Sequence, residues 1–362
     1  MAAKYKHCPI KHKPFLCRLK TMTKHSENFN QTLKQVSRSF YLSIRVLPKP
    51  MQKPVGIAYL LARAADSITD SDKIVREVRG QYLVNMLNLM SHQNLDETQN
   101  FSRKLAPLMS DPGEKKLMLC LAGVVNNYYL LETSDKTEVL SVVTTLIKGM
   151  QMDLAVFYQQ DQITALKDQS SLEEYTYLVA GCVGEFWTKT AINHLPSLSH
   201  WQADTQTKMG IEFGKALQLT NILRDIAKDA RLGRCYLPAS ALKEHQLTTK
   251  QLLDKQNDHL FRPIIDHQLT LALAYFKSAE NYLMSTPRTE IRLRLASIWP
   301  ILIGLKTLEL IANKENFLDQ NHTIKVKRNW VYRMLICSLF IVGSNTLLSL
   351  WIRRAATWKR II

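Results

Sequence analysis

The feature that narrows the possible folds most is a spacing. Between Gln218 and Pro238, Asn221, Asp225 and Asp229 recur every fourth residue inside an apolar frame, and a helix places i, i+4 and i+8 on one face. Arg224 stands beside them, while Gly233 and Pro238 suit a helix end followed by a loop. Two carboxylates one turn apart repel by about a few tenths of a kcal/mol on a bare helix. A cation would rationalise the pair, although an isolated Asp-x-x-x-Asp is more often a solvated polar face.

A second pair shifts that balance. Asp66 and Asp70 have the same spacing, with Arg63 one turn before Asp66. Two such helices facing each other form a hard, oxygen-rich cage of the kind that suits Mg²⁺, which takes one or two carboxylates and completes its octahedron with water and phosphate oxygens. The neighbouring arginines suit diphosphate oxygens, which a guanidinium grips in bidentate fashion.

Five blocks together resemble the squalene and phytoene synthase family, the head-to-head prenyltransferases. They are Ser37-Arg-Ser-Phe40, the Asp66 to Asp70 block, Gly149-Met-Gln-Met-Asp-Leu154, Val179-Ala-Gly-Cys-Val-Gly-Glu185 and the Gln218 to Pro238 stretch. The resemblance covers about residues 30–310. It implies an all-α fold of the isoprenoid synthase type I class, a helical bundle around a central apolar cavity.

Composition agrees with a helical enzyme and excludes other classes. The 362 residues are 46% hydrophobic, enough for a large core, and contain no Gly-x-Gly-x-x-Gly. Six cysteines without a Cys-x-x-Cys fit a reduced, cytoplasmic compartment. The net charge of +17 is concentrated at the ends: residues 1–25 carry seven Lys/Arg and residues 324–362 carry eight, with no acid in either. A nearly neutral body argues against nucleic-acid binding. Basic ends beside apolar sequence suit an anionic membrane surface.

Along the chain, residues 1–25 read as a disordered basic tail without a signal-peptide core, and Met22 offers an alternative start. Residues 26–323 form the expected all-α domain. Helical periodicity is predicted over 28–44, 55–71, 73–93, 113–133, 135–159, 172–192, the stretch ending at Gly233, 249–254, 262–284 and 288–313, the last with a kink at Trp299-Pro300. A polar loop separates the third and fourth of these, and no run reads as a strand. Met150 and Met152 are candidates for core filler or for a substrate wall. Glycines 181 and 184 inside a helix require close packing or room for a ligand, since each costs close to 1 kcal/mol against alanine.

The segment 324–362 is open to two readings. Met334 to Ile352 is a run of 19 residues without a charge, flanked by Arg333 and by Arg353-Arg354, with Trp330 and Trp351 as interface anchors. It has the length to span a bilayer, yet Ser338, Gly343, Ser344, Asn345, Thr346 and Ser349 dilute it, and it could equally pack on the domain.

The resemblance also implies roles. Asp66, Asp70, Asp225 and Asp229, with Asn221 in support, would hold Mg²⁺ on the substrate diphosphates. Ser37, Arg38, Ser39, Phe40, Arg63, Gln218, Arg224 and Arg234 would contact those diphosphates, and Asp153 would lie near the metal site. Squalene synthases often carry a tyrosine immediately before Val-Ala-Gly; this chain has Leu178 there, which makes Tyr177 the candidate for proton handling. Two farnesyl diphosphates would give presqualene diphosphate, then squalene with NADPH, or dehydrosqualene or phytoene without reduction. A non-catalytic relative acting as a membrane-complex assembly factor is the alternative of another class, and intact acidic pairs speak against it.

Overall fold

The computed structural model describes residues 44–158, 162–319 and 324–357. The basic tail, Met22 and the Ser37, Arg38, Ser39 and Phe40 block lie outside the described residues, as does the helix expected over 28–44 apart from Ile44.

Helix α1 (Lys49–Asp70) starts after Pro48 and buries Ile57, Leu60, Leu61, Ala64, Ala65 and Ile68, a stripe at helical spacing. Its C-terminal end is closed from outside: the Arg79 guanidinium donates to the carbonyls of Thr69, Ser71 and Ile74 at 2.7, 2.7 and 3.0 Å. Arg79 lies on α2 (Arg76–Ser91). An unexpected helix follows, α3 (Leu95–Leu105), in a stretch whose polarity reads as loop. Its local signals are end signals: Asn94 caps the Glu97 N–H, acids occupy the first turn and Arg103 and Lys104 the last.

Helix α4 (Pro112–Tyr129) is capped by Asp111, which accepts from the Gly113 and Glu114 N–H groups at 2.7 and 3.1 Å. Helix α5 (Thr133–Val156) then crosses back against α1. The expected helix over 172–192 is divided into α6 (Gln169–Thr176), a π-helical turn at Tyr177–Gly181, and α7 (Cys182–His194).

The longest helix, α8 (Ala203–Arg231), is the axis of the bundle. It packs on α7, on the π turn, on α10 (Asp258–Ser285) and on α11 (Ile291–Ala312). Gly184 owes its place to that contact: a Cβ at Gly210 of α8 would lie 2.7 Å from the Gly184 carbonyl oxygen, and a Cβ at Gly184 would strike the Gly210 backbone. Helix α11 runs through Pro300 without interruption, so the sequence-predicted kink does not break it.

The reading that no strand occurs needs one correction. Thr164–Leu166 (β1) and Arg234–Pro238 (β2) pair in parallel, Thr164 opposite Arg234 and Ala165 opposite Cys235. Runs this short are below the length at which alternation is readable. Gly233, at φ 77°, makes the turn from α8 into β2, and its carbonyl accepts from the Thr164 N–H at 3.0 Å. After β2 come α9 (Ala239–Glu244) and a 3₁₀ turn at Thr249–Leu253.

The uncharged run 334–352 is not one helix. It is divided between α12 (Arg328–Ile341) and α13 (Asn345–Ala356), with a break at Val342 to Ser344 and Ser344 capping α13. At 1.5 Å per residue, helices of 14 and 12 residues reach roughly 20 Å each, short of the ~30 Å hydrocarbon core. Among the described residues, the helices with the length and composition to cross a bilayer are α5 and α11, and 67% of the apolar window of α11 is buried in the bundle.

Candidate active site

Where α1, α5, α6, the π turn, α8 and β2 converge, they enclose a cleft of about 250 Å³. Asp66, Thr69 and Asp70 line it from α1, Leu146, Gly149, Met150, Asp153 and Leu154 from α5, Tyr175 and Val179 from the α6 side, Gln218 from α8, and Arg234 from β2. Charged and aliphatic side chains therefore share the lining of one chamber. Met150 belongs to that lining, while Met152 packs with the second hydrophobic cluster around α8, α10 and α11.

Each acidic pair is crowded. The Asp66 carboxylate pairs with Arg63, which also reaches Glu114 of α4 at 2.7 Å. Burial, and then the Asp70 charge, push the Asp66 carboxyl up to about 6 against the pull of Arg63. On α8, the Arg224 guanidinium donates to both Asp225 oxygens, with Nε at 2.9 Å. Asp229 is likewise pushed up to about 6, by burial and by the Asp225 charge, with Arg234 and Lys228 opposing. Asn221 is exposed, and its side-chain amide is 3.5 Å from the Gln218 Oε1.

Arg234 reaches both pairs through its charge. Its Nη1 lies 3.1 Å from Asp153, and its charge is felt by Asp229 on one side while it feels that of Asp70 on the other. Asp153 also accepts from the Tyr236 hydroxyl at 2.7 Å. The Tyr236 ring stacks on Tyr175, with centroids 4.8 Å apart and 26° between planes. The parallel β1–β2 pair is what carries Arg234 and Tyr236 back over the cleft after α8 ends.

The sequence-predicted residues are thus distributed as follows. Asp66, Asp70, Gln218 and Arg234 face the cleft; Asp225 and Asp229 stand two and three turns beyond Gln218 and do not line it, although Asp229 feels the Arg234 charge. Tyr177 lies outside the lining: its hydroxyl donates to Glu185 at 3.0 Å, and burial together with that carboxylate pushes it up to about 12. Tyr175, two residues earlier, is the tyrosine that lines the cleft. Sequence reasoning missed Tyr175, Tyr236, Glu114 and Arg79. For Glu114, 51 residues from Arg63, no local pattern could have revealed the pairing.

This geometry can be compared with that of known proteins. A squalene/phytoene synthase family model matches residues 33–330. The chain belongs to the squalene/phytoene synthase family. A 15-cis-phytoene synthase of Synechococcus elongatus is 26% identical over 267 residues, 73% of this chain and 77% of that protein. The presqualene diphosphate synthase of Rhodopseudomonas palustris is 28% identical over 254 residues, 70% and 77% of the two chains. A bifunctional lycopene cyclase/phytoene synthase of Pyrenophora tritici-repentis is 28% identical over 258 residues, and the match spans only 41% of that larger protein.

Among solved structures, the squalene synthase TcSQS in complex with BPH1237 superimposes with a TM-score of 0.71 at 17% identity, covering 92% of this chain and 98% of that one. A dehydrosqualene synthase gives 0.60 at 20% identity, covering 89% and 99%. At these identities the likeness is one of fold, and the fold is the isoprenoid synthase helical bundle. Within this family member the acidic pairs lie on α1 and α8, and the cleft between those helices is walled by α5.

The raised carboxyls make a measurable prediction for the metal-free protein. A carboxyl whose folded value lies above the unfolded one adds stability that is full below the unfolded value, near 3.8, and is lost as pH rises through about 6. Between pH 5 and pH 7.5 the metal-free protein is therefore expected to lose more Tm than an Asp66→Asn/Asp229→Asn double variant does. Calorimetry at the two pH values checks this, and parallel losses would contradict it.

Proposed function

We propose that this protein joins two prenyl diphosphates head to head with release of diphosphate. Two farnesyl diphosphates would give presqualene diphosphate with loss of one diphosphate, and NADPH, where bound, would supply the hydride that yields squalene as the second diphosphate leaves. The observation that supports this best is the cleft: Asp66 and Asp70 open onto a chamber walled by Leu146, Met150, Leu154 and Val179, with Arg234 in the same lining, paired with Asp153.

The donor chemistry fits Mg²⁺. Among the described residues no three His, Cys, Asp or Glu side chains gather into a metal-holding group, but Mg²⁺ needs only one or two carboxylates when phosphate oxygens and water complete its shell. Asp66 with Asp70, and Asp225 with Asp229, are oxygen-only pairs whose mutual repulsion a cation would relieve. Bound there, Mg²⁺ would supply charge to the departing diphosphate.

The chain's own residues supply the rest. Arg234 adds a fixed cation to the lining of the chamber, and Arg63 and Arg224, held by Asp66 and Asp225, would be free for diphosphate oxygens where those carboxylates held a metal. The aliphatic wall keeps water from an allylic cation. Tyr175 and Tyr236 bring hydroxyls to Asp153 within reach of the same space, where a proton could be held or passed. Release of dehydrosqualene or phytoene is the second reading, favoured by relatives named phytoene synthases. An assembly-factor role finds no support in two intact acidic pairs.

Purified protein incubated with farnesyl or geranylgeranyl diphosphate and Mg²⁺, with and without NADPH, tests the proposal. The expected result is diphosphate release, presqualene diphosphate from the C15 substrate alone and squalene when NADPH is added. Absence of diphosphate release from either substrate would sink the enzyme reading.

A further inference from the structure

Helices α12 and α13 carry an apolar face that no other described residue covers. On α12, Tyr332, Ile336, Leu339 and Phe340 are 61, 57, 58 and 83% exposed, and on α13 Leu347 and Leu350 are 48 and 58% exposed. Their spacing of three, four and seven residues puts each set on one side of its helix. The opposite side of α12 is buried through Met334 and Ser338, with Ser338 accepting from the Trp299 indole N–H at 2.9 Å. The outward apolar side is therefore held rigidly, not left over from a frayed end.

The charge around this face has one sign. Lys325, Lys327, Arg328, Arg333, Arg353 and Arg354 are all exposed, and no Asp or Glu occurs from Ile324 to the end of the chain. Beside it lies an apolar groove of about 360 Å³, formed by Leu273, Phe276, Leu305, Ile352 and Ala356, with Lys277 and Arg353 among its lining. Glu280 also borders that groove, but it is buried and taken by Ser349 at 2.7 Å and Lys277 at 2.6 Å.

The break between these two helices does not suit a continuous span. The buried Arg294 guanidinium donates to the Val342 carbonyl at 2.7 Å and to the Asn345 side chain at 2.7 Å, so the turn between α12 and α13 is fastened to α11. A protein face of uniformly cationic rim and aliphatic and aromatic centre matches the layered chemistry of an anionic bilayer surface, phosphate outside and hydrocarbon beneath. We propose that the α12–α13 face docks this protein in the plane of an anionic membrane, with Phe340, Leu339 and Ile336 inserted below the headgroups and the Lys/Arg rim on lipid phosphates. This interfacial mode is independent of the reaction proposed above.

Vesicle flotation of the full chain tests it. The protein is expected to float with phosphatidylcholine/phosphatidylglycerol vesicles at low salt, to bind pure phosphatidylcholine at least about tenfold more weakly, and to be released by alkaline carbonate, as a surface-bound helix pair would be. Ile336→Asp/Phe340→Asp and Arg333→Glu/Arg354→Glu are each expected to lower binding at least about tenfold with Tm unchanged, since all four side chains are exposed. Absence of binding to the anionic vesicles, retention after carbonate, or binding by the Ile336→Asp/Phe340→Asp variant equal to that of the parent would overturn the proposal. So would a dimer in light scattering that the same variant dissociates, because a second copy would then be the occupant.

Discussion

Exchanging Asp66 for Asn is expected to slow diphosphate release by roughly two to three orders of magnitude, the loss typical of removing one preorganised electrostatic group from a reacting centre. The same loss is expected for Asp225→Asn. Both substitutions keep the shape of the side chain, so what they remove is charge. Asp66 faces the cleft, and its carboxyl is already pushed up to about 6 by burial and by Asp70. Neutralising it relieves repulsion in the metal-free protein, and the Tm of that form at pH 7.5 should hold or rise. Added Mg²⁺ is expected to raise the Tm of the parent, as a ligand of the native state does, and to raise that of Asp66→Asn less. Turnover within about threefold of the parent would remove Asp66 from the machinery; a fall in helical ellipticity would show that the fold, not the charge, had been lost.

The second large effect lies far from the cleft. Arg294 is fully buried, and its guanidinium is satisfied by no carboxylate but by the carbonyls of Val342, Leu283 and Thr286 at 2.7, 3.2 and 2.6 Å and by Asn345. Those carbonyls end α10 and α12, where the helix dipole is negative, which is how a lone cation is tolerated there. Arg294→Met preserves much of the volume but leaves these acceptors unpaired in the interior. An unmade buried hydrogen bond costs ~1–3 kcal/mol, so a destabilisation of about 3–5 kcal/mol is expected after local relaxation. Denaturant melts measure it. Limited proteolysis should at the same time begin to cut near Gly343, since the turn between α12 and α13 loses its fastening. An effect below about 1 kcal/mol would mean that the carbonyls find water instead.

The two large effects also mark the boundary of what the amino-acid string reveals. Asp66 with Asp70 and Asp225 with Asp229 were legible because their spacing is a property of one helix, and the stripes on α1, α5 and α8 were legible for the same reason. Glu114 behind Arg63 was not, nor Val342 and Asn345 as acceptors for Arg294, because partners 50 or so residues apart leave no periodic trace. Tyr175 and Tyr177 look equivalent in sequence. The hydrogen bond to Glu185 and the stacking on Tyr236, set by the π turn and by the β1–β2 pair, are what assign one to the packing and the other to the cleft.

By itself, then, the sequence determined the helical class, the family and the two acidic pairs, since each is written in local spacing. The tertiary structure alone decided that Arg234 returns to the cleft against Asp153, that Tyr175 lines the cleft, and that the uncharged run near the C-terminus breaks at Val342. Those outcomes depend on contacts closed by distant segments, above all Asp153 with Arg234 and Arg294 with Val342, whose energies exist only once the chain has folded.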